Sequence, residues 1–187
     1  VRNLAGAIAL CISFSLQAQQ LRVDFDPAKS QIHWTLTGNV HTVHGSFALK
    51  QGHLIFDPST GSISGDLVVD AASGASGNSA RDKRMHKDIL ESDRFQEIRF
   101  VPAKVDGKLS LSGPSTVRVS GNFFIHGAAH SITIPLTLSL TDRTVSGTGQ
   151  FSIPYVDWGM KDPSNFLFKV DKSVEVEVVA SGTIAGK

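Results

Sequence analysis

The sequence predicts an all-β chain of antiparallel strands with one short amphipathic helix inserted. Three observations predict it. Apolar residues recur with period two in many short runs, which places alternate side chains on one face of a strand. Gly, Pro, Asp and Ser clusters separate these runs, roughly every dozen residues, as in sandwiches and barrels. No apolar segment of helical period dominates.

The first segment reads as a leader. Val1, Arg2 and Asn3 give a short basic start, and Leu4 to Leu16 is apolar but too short to span a bilayer. Ala18 is a small residue ahead of the polar Gln19 and Gln20. These are the three parts of a secretory signal peptide. The expectation is a cleaved leader over residues 1–18, one domain over residues 19–187, and a periplasmic or secreted product. The only cysteine, Cys11, would depart with the leader. The mature domain would then have no disulfide, no thiolate nucleophile and no cysteine metal site. Lys and Arg total 18 against 17 Asp and Glu, and loss of Arg2 balances them. A nucleic-acid partner needs a basic patch, so none is expected.

Along the mature chain, Ile32, Trp34 and Leu36 alternate with His33 and Thr35. Phe47 and Leu49 follow, then Leu54 and Phe56, then Ile63, Leu67 and Val69. Later runs hold Ile98 and Phe100; Leu109 and Leu111; Val117, Val119, Phe123 and Ile125; and Ile132 to Leu140. Phe151 and Ile153, then Phe166, Phe168 and Val170, then Val174, Val176 and Val178 complete the strands. Turn residues at Asp26-Pro27, Asp57-Pro58, Asp106-Gly107, Gly113-Pro114 and Asp162-Pro163 punctuate them. Ser79 to Leu90 breaks the pattern with helical spacing: Asn78 or Ser79 would cap it, and Met85, Ile89 and Leu90 would share one side.

Three architectures fit this pattern: a filled β-sandwich, a soluble up-and-down barrel of about eight strands that can hold one ligand, and an outer-membrane barrel. Membrane barrels carry aromatic girdles, whereas this chain has two Trp and one Tyr. Stable membrane insertion is therefore not expected. Whether the apolar face fills a core or lines a tunnel stays open, since both bury area through the same hydrophobic effect.

The residues also resemble a known family. Val43-His44-Gly45-Ser46-Phe47 and Ile55-Phe56-Asp57-Pro58 are similar to the opening of a YceI-like domain. Val68 to Ser73, the Gly77-Asn78 loop, Arg81-Asp82, Leu90 and Phe95 to Phe100 follow in the family's order. Gly121 to Gly127 resembles its Gly-x-Leu-x-Ile-x-Gly strand, and Tyr155 to Met160 its Asp-aromatic-Gly turn. The resemblance spans about residues 22 to 184. One position departs: Gln96 stands where the family usually has Pro, which removes a rigid start to the next strand.

The resemblance implies a lipocalin-like antiparallel β-barrel of about eight strands that binds a polyisoprenoid, a quinone tail or another long-chain lipid. On that reading the expected lining is Trp34, Phe47, Leu49, Phe56, Leu67, Val69, Phe100, Val119, Phe123, Ile125, Ile134, Leu136, Leu138, Phe151, Ile153, Phe166 and Phe168. Arg81, Arg84 and Lys87 are the head-group candidates, because Arg and Lys are the usual phosphate partners; a solvated helix face with Asp82 paired to His86 explains the same charges. No cofactor is required beyond the bound lipid, and the partner is a hydrophobic small molecule. Homodimerisation through outer strands stays open.

Other chemistries are less well supplied. His126 and His130 flank an expected hairpin turn, and His41, His44 and His53 are near in sequence. With neither helical spacing nor an acidic ligand cluster, no metal site is expected. There is no Gly-x-Ser-x-Gly elbow and no phosphate loop, so no catalytic residue is assigned and the chain is not expected to be an enzyme. The alternatives carried forward are a filled barrel that binds a protein, and a lipid-acting enzyme.

Overall fold

The computed structural model describes residues 20–110, 113–141 and 143–185. The expected leader, Leu111 and the tail residues Gly186 and Lys187 lie outside the described residues. Ten strands follow in chain order: β1 (Leu21–Phe25), β2 (Gln31–Leu36), β3 (Val43–Phe47), β4 (Leu49–Asp57), β5 (Ser62–Asp70), β6 (Glu97–Asp106), β7 (Pro114–Ile125), β8 (Ala128–Leu140), β9 (Thr144–Ile153) and β10 (Val174–Ala185). They form one sheet, closed where β1 pairs with β10.

Two of the walls are broken strands. β1 and β2 occupy successive stretches of one β10 edge, with Phe25 opposite Gly182 and Gln31 opposite Val179. Between them the Asp26 carboxylate accepts the Ala28 N–H, and Pro27 opens a 3₁₀ turn over Pro27–Lys29. Proline suits that place because its φ is fixed and it has no N–H to satisfy. β3 and β4 continue one another past Ala48, β3 on β2 and β4 on β1. The barrel thus has eight walls, each antiparallel to the next along the chain, the lipocalin-like plan.

Strict alternation would bury the wrong residues on two strands, and bulges correct it. On β4 a register shift between Leu49 and Gln51 lets Leu49 and then Leu54 and Phe56 all face inward. On β6 a shift between Pro102 and Lys104 turns Val105 into the barrel. Lys104 and Asp106 then meet outside as an ion pair at 2.7 Å. A Cβ on Gly121, opposite Pro102, would lie 2.4 Å from the Val101 carbonyl oxygen, so the close approach there needs glycine.

The two ends differ. At the lower end, turns join β4 to β5 and β8 to β9, and Val23, Leu54, Leu140 and Val145 pack together with Leu109 against them. Leu109, expected on a strand, lies in the connection between β6 and β7. At the upper end the connections over residues 71–96 and 154–173 are long. The first carries the expected helix as two pieces: α1 (Ser79–Arg84), capped by the Asn78 side chain on the Arg81 N–H, and a π-helical turn, Met85–Leu90. Asp82 is not paired with His86; it accepts hydrogen bonds from Ser76, while His86 bonds the Gly74 carbonyl and Ser92. Residues 166–170, expected as a strand, are loop, with only a bridge from Val170 to Gly38. No helix among the described residues is long and apolar enough to cross a membrane.

Candidate functional site

The inward side chains do not meet in the middle. They enclose a cavity of about 530 Å³ whose wall draws on all ten strands, within the range of ~300–1,000 Å³ typical of pockets that bury small ligands. Of the seventeen expected lining residues, sixteen stand in this wall: Trp34, Phe47, Leu49, Phe56, Leu67, Val69, Phe100, Val119, Phe123, Ile125, Ile134, Leu136, Leu138, Phe151, Ile153 and Phe168. Phe166 does not; it is 93% exposed, because the strand expected to carry it is a loop turned away from the barrel. Alternation alone also marks Leu54, Ile98 and Val176, which join the wall. His41, Tyr155, Met160 and Asn165 join from loops, where periodicity gives no signal.

Polarity is graded along the cavity. Its lower part is hydrocarbon apart from Ser30, and His41, Arg81, Arg84, Tyr155 and Asn165 cluster at the upper rim. Among the described residues no Asp or Glu lines it. Arg81 is held inward, donating from Nε to Ser76 Oγ at 2.7 Å and from Nη2 to the Ser76 carbonyl at 3.0 Å. Arg84 donates from Nη2 to the Pro163 carbonyl at 3.1 Å and so ties α1 to residues 154–173. Lys87 is exposed on the π-helical turn and does not reach the cavity.

Tyr155 anchors the other side of the rim, its hydroxyl donating to the Asp171 carbonyl at 2.9 Å. Burial first, then the nearby charges of Asp162 and Asp171, push its phenol up to about 12, so it stays neutral and a donor. Asp162 itself is held below its ordinary range, chiefly by hydrogen bonds from Ser164. In the wall just below the rim, the indole N–H of Trp34 is buried and has no acceptor among the described residues. The benzo edge of Trp34 lies over Gly45, where a Cβ would sit 2.2 Å from the ring.

One seam in the wall is closed by side chains. Pairing of β8 with β9 runs from Leu140↔Val145 to Leu136↔Gly149, and Pro135 has no N–H to carry it further. Above that point Trp158 stacks on His130, with centroids 4.1 Å apart and planes 4° from parallel, and packs 5.9 Å from Phe123. The histidines are accordingly dispersed. His126 bonds Glu91 at 3.0 Å, His53 bonds Asp24 at 2.6 Å and His44 bonds Thr35 at 3.0 Å. Among the described residues no group of three or more His, Cys, Asp or Glu converges to hold a metal ion.

Comparison with known proteins agrees with this architecture. The YceI-like domain family model matches residues 24–181, and the chain belongs to that family. BcnA from Burkholderia cenocepacia is 21% identical, with a TM-score of 0.69 over 84% of this chain and 99% of that one. A polyisoprenoid binding domain from Saccharophagus degradans, implicated in plant cell wall breakdown, is 17% identical, with a TM-score of 0.70 over 88% of this chain and 99% of that one. The YceI protein of Campylobacter jejuni is 14% identical, with a TM-score of 0.56 over 80% and 85% of the two chains. No curated protein matches the sequence significantly.

Proposed function

We propose that this YceI-like barrel is a carrier that takes the apolar tail of a polyisoprenoid, a quinone-type lipid or a similar long chain into its cavity, in the periplasm or outside the cell. It performs no chemistry on the cargo. The observation that carries this reading is the cavity itself: about 530 Å³ of space with an apolar wall and a polar rim at one end only. An amphiphile with a long tail matches that gradient, tail downward and polar group at Arg81, Arg84 and Asn165. Each buried CH₂ gains about 0.8 kcal/mol, less the entropy of ordering the tail, so the fit needs no covalent step. The polyisoprenoid-binding description of the Saccharophagus degradans domain supports the same class of ligand.

The test is organic extraction of the freshly purified protein, followed by mass spectrometry, with farnesol titration of the delipidated protein beside it. One long-chain isoprenoid or lipid per barrel is expected, together with saturable farnesol binding. Val119, mid-wall and buried, offers the control: Val119→Trp should stay folded, because space is present, and should lose most of that binding. An empty extract together with no farnesol binding would remove the carrier reading.

A further inference from the structure

We propose that the paired loop tips at residues 37–42 and 164–170 form a membrane-docking surface that dips into a bilayer containing anionic phospholipid. The rim of the cavity then opens at the level of the acyl chains. This rests on the lipid-carrier reading for its purpose, though its geometry stands alone.

The large apolar side chains exposed among the described residues are Val40 at 63%, Phe124 at 37%, Phe166 at 93%, Leu167 at 67% and Phe168 at 49%. Phe124 lies on the barrel flank with the Arg99 guanidinium 5.5 Å from its ring centre. The other four belong to two loops at one end, and such clustering marks an interaction surface where scattered residues would not. The tips are not loose strands of chain. Asn39 N–H donates to the Lys169 carbonyl at 2.9 Å, Lys169 N–H donates back to Asn39 Oδ1 at 3.0 Å, and Asp171 N–H donates to the Thr37 carbonyl at 2.8 Å. Asn165 Oδ1 accepts the N–H groups of Leu167 and Phe168 at 3.0 and 2.8 Å. That turn, stitched to its neighbour, holds Phe166 and Leu167 out into solvent.

Charge selects the occupant. Within the two tips the only charged side chain is Lys169, and there is no carboxylate. Behind them, residues 71–96 carry Arg81, Lys83, Arg84, Lys87 and Arg94 against Asp82, Asp88, Glu91 and Asp93. Residues 154–173 hold Lys161, Lys169 and Lys172 against Asp157, Asp162 and Asp171, so Lys169 is the one cation in excess over the two connections. An apolar tip whose single charge is the Lys169 ammonium suits an interface of acyl chains topped by phosphates, where a Lys stem lies along the apolar layer and its ammonium reaches the head groups. Phe168, Val170, His41 and Asn165 belong to both the tip region and the cavity wall, so docking would bring the mouth to the membrane. A lipid could then pass between bilayer and barrel without crossing water.

Flotation with extruded vesicles of phosphatidylcholine and phosphatidylglycerol tests this, with wild type compared to the double variant Phe166→Glu, Leu167→Glu. Both positions are exposed, and matching circular dichroism and farnesol binding establish that the variant keeps its fold and cavity. Wild type is expected to float with the mixed vesicles, less with phosphatidylcholine alone, and the variant to bind about tenfold more weakly or worse. Equal flotation of the two proteins, or no flotation of wild type, would overturn the docking surface. Wild type that self-associates through the tips without binding vesicles, or binds vesicles independently of phosphatidylglycerol, would overturn it too. Farnesol binding is read separately: a barrel that docks but binds no farnesol loses the carrier reading and keeps the docking surface.

Discussion

The two ends of the barrel share the same strands and differ in what joins them. Below, short connections bring β4 onto β5 and β8 onto β9, and Leu109 packs with Val23, Leu54, Leu140 and Val145 as a plug. Above, residues 71–96 and 154–173 leave the wall, satisfy their own backbone groups through turns and side chains, and display Phe166, Leu167 and Phe168 to solvent. A tight turn has no chain to spare for a rim, whereas a long connection must find partners for its N–H and C=O groups away from the ladder. The two long upper connections therefore build the mouth, and Leu109, from the connection between β6 and β7, completes the plug.

Truncating the plug is the largest expected effect. Leu54→Ala removes a buried side chain from the lower cluster and should cost about 2–5 kcal/mol in urea unfolding. Leu167→Ala at the upper tip should change stability by no more than about 0.5 kcal/mol. Similar losses at both positions would mean that the tip is part of the core, and the contrast between the ends would fail.

Tyr155 tests the rim from inside. Tyr155→Phe deletes the bond to the Asp171 carbonyl and should cost about 1 kcal/mol. The folded phenol, at about 12, lies above its ordinary value of 10.0, so the folded protein holds this proton longer than the unfolded chain does. That contribution to stability is complete below pH 10 and is lost as pH rises from about 10 to about 12. Unfolding followed across this window should show the loss in wild type and not in Tyr155→Phe. Identical alkaline slopes would assign the titration to another group.

The walls were legible in the sequence, the rim only through Arg81 and Arg84, and the lower end not at Leu109, which is loop where a strand was expected. Period-two runs such as Val117, Val119, Phe123 and Ile125 occur as read, because a wall with one face inward forces alternation. The parity change from Phe47 and Leu49 to Leu54 and Phe56 was visible too, though only the bulge at Leu49 to Gln51 explains it. Phe166, Phe168 and Val170 show where periodicity misleads: the same alternation arises in a loop, where Phe166 faces solvent while Phe168 and Val170 reach the cavity. His41, Tyr155 and Asn165 reach the rim through contacts between loops distant in sequence, and no local pattern encodes such contacts. The parting of α1 into a π-helical turn is likewise invisible to spacing, since helical spacing is common to both forms.

The smallest effect compares two half-buried carboxylates, one at each end. In the lower turn Asp57 accepts from Ser59 Oγ at 2.6 Å and Ser59 N–H at 2.9 Å, and these bonds hold it below its ordinary 3.8. At the upper end the hydrogen bond from His126 holds Glu91 below 4.5, and the two residues carry φ of 48° and 51°, the left-handed region. Each lowered value contributes stability above the unfolded pKa that is lost as pH falls through the folded one, and exposure to solvent keeps both contributions small. The lower bond is local to one turn, whereas the upper one spans two connections 35 residues apart. Carboxyl-carbon NMR titration of His126→Ala should therefore return Glu91 toward 4.5 and loosen residues 91–96, with Asp57 unmoved. Ser59→Ala should raise Asp57 part of the way, since the N–H remains, and leave Glu91 alone. Joint movement of both groups in either variant would show that the ends are electrostatically coupled through the wall.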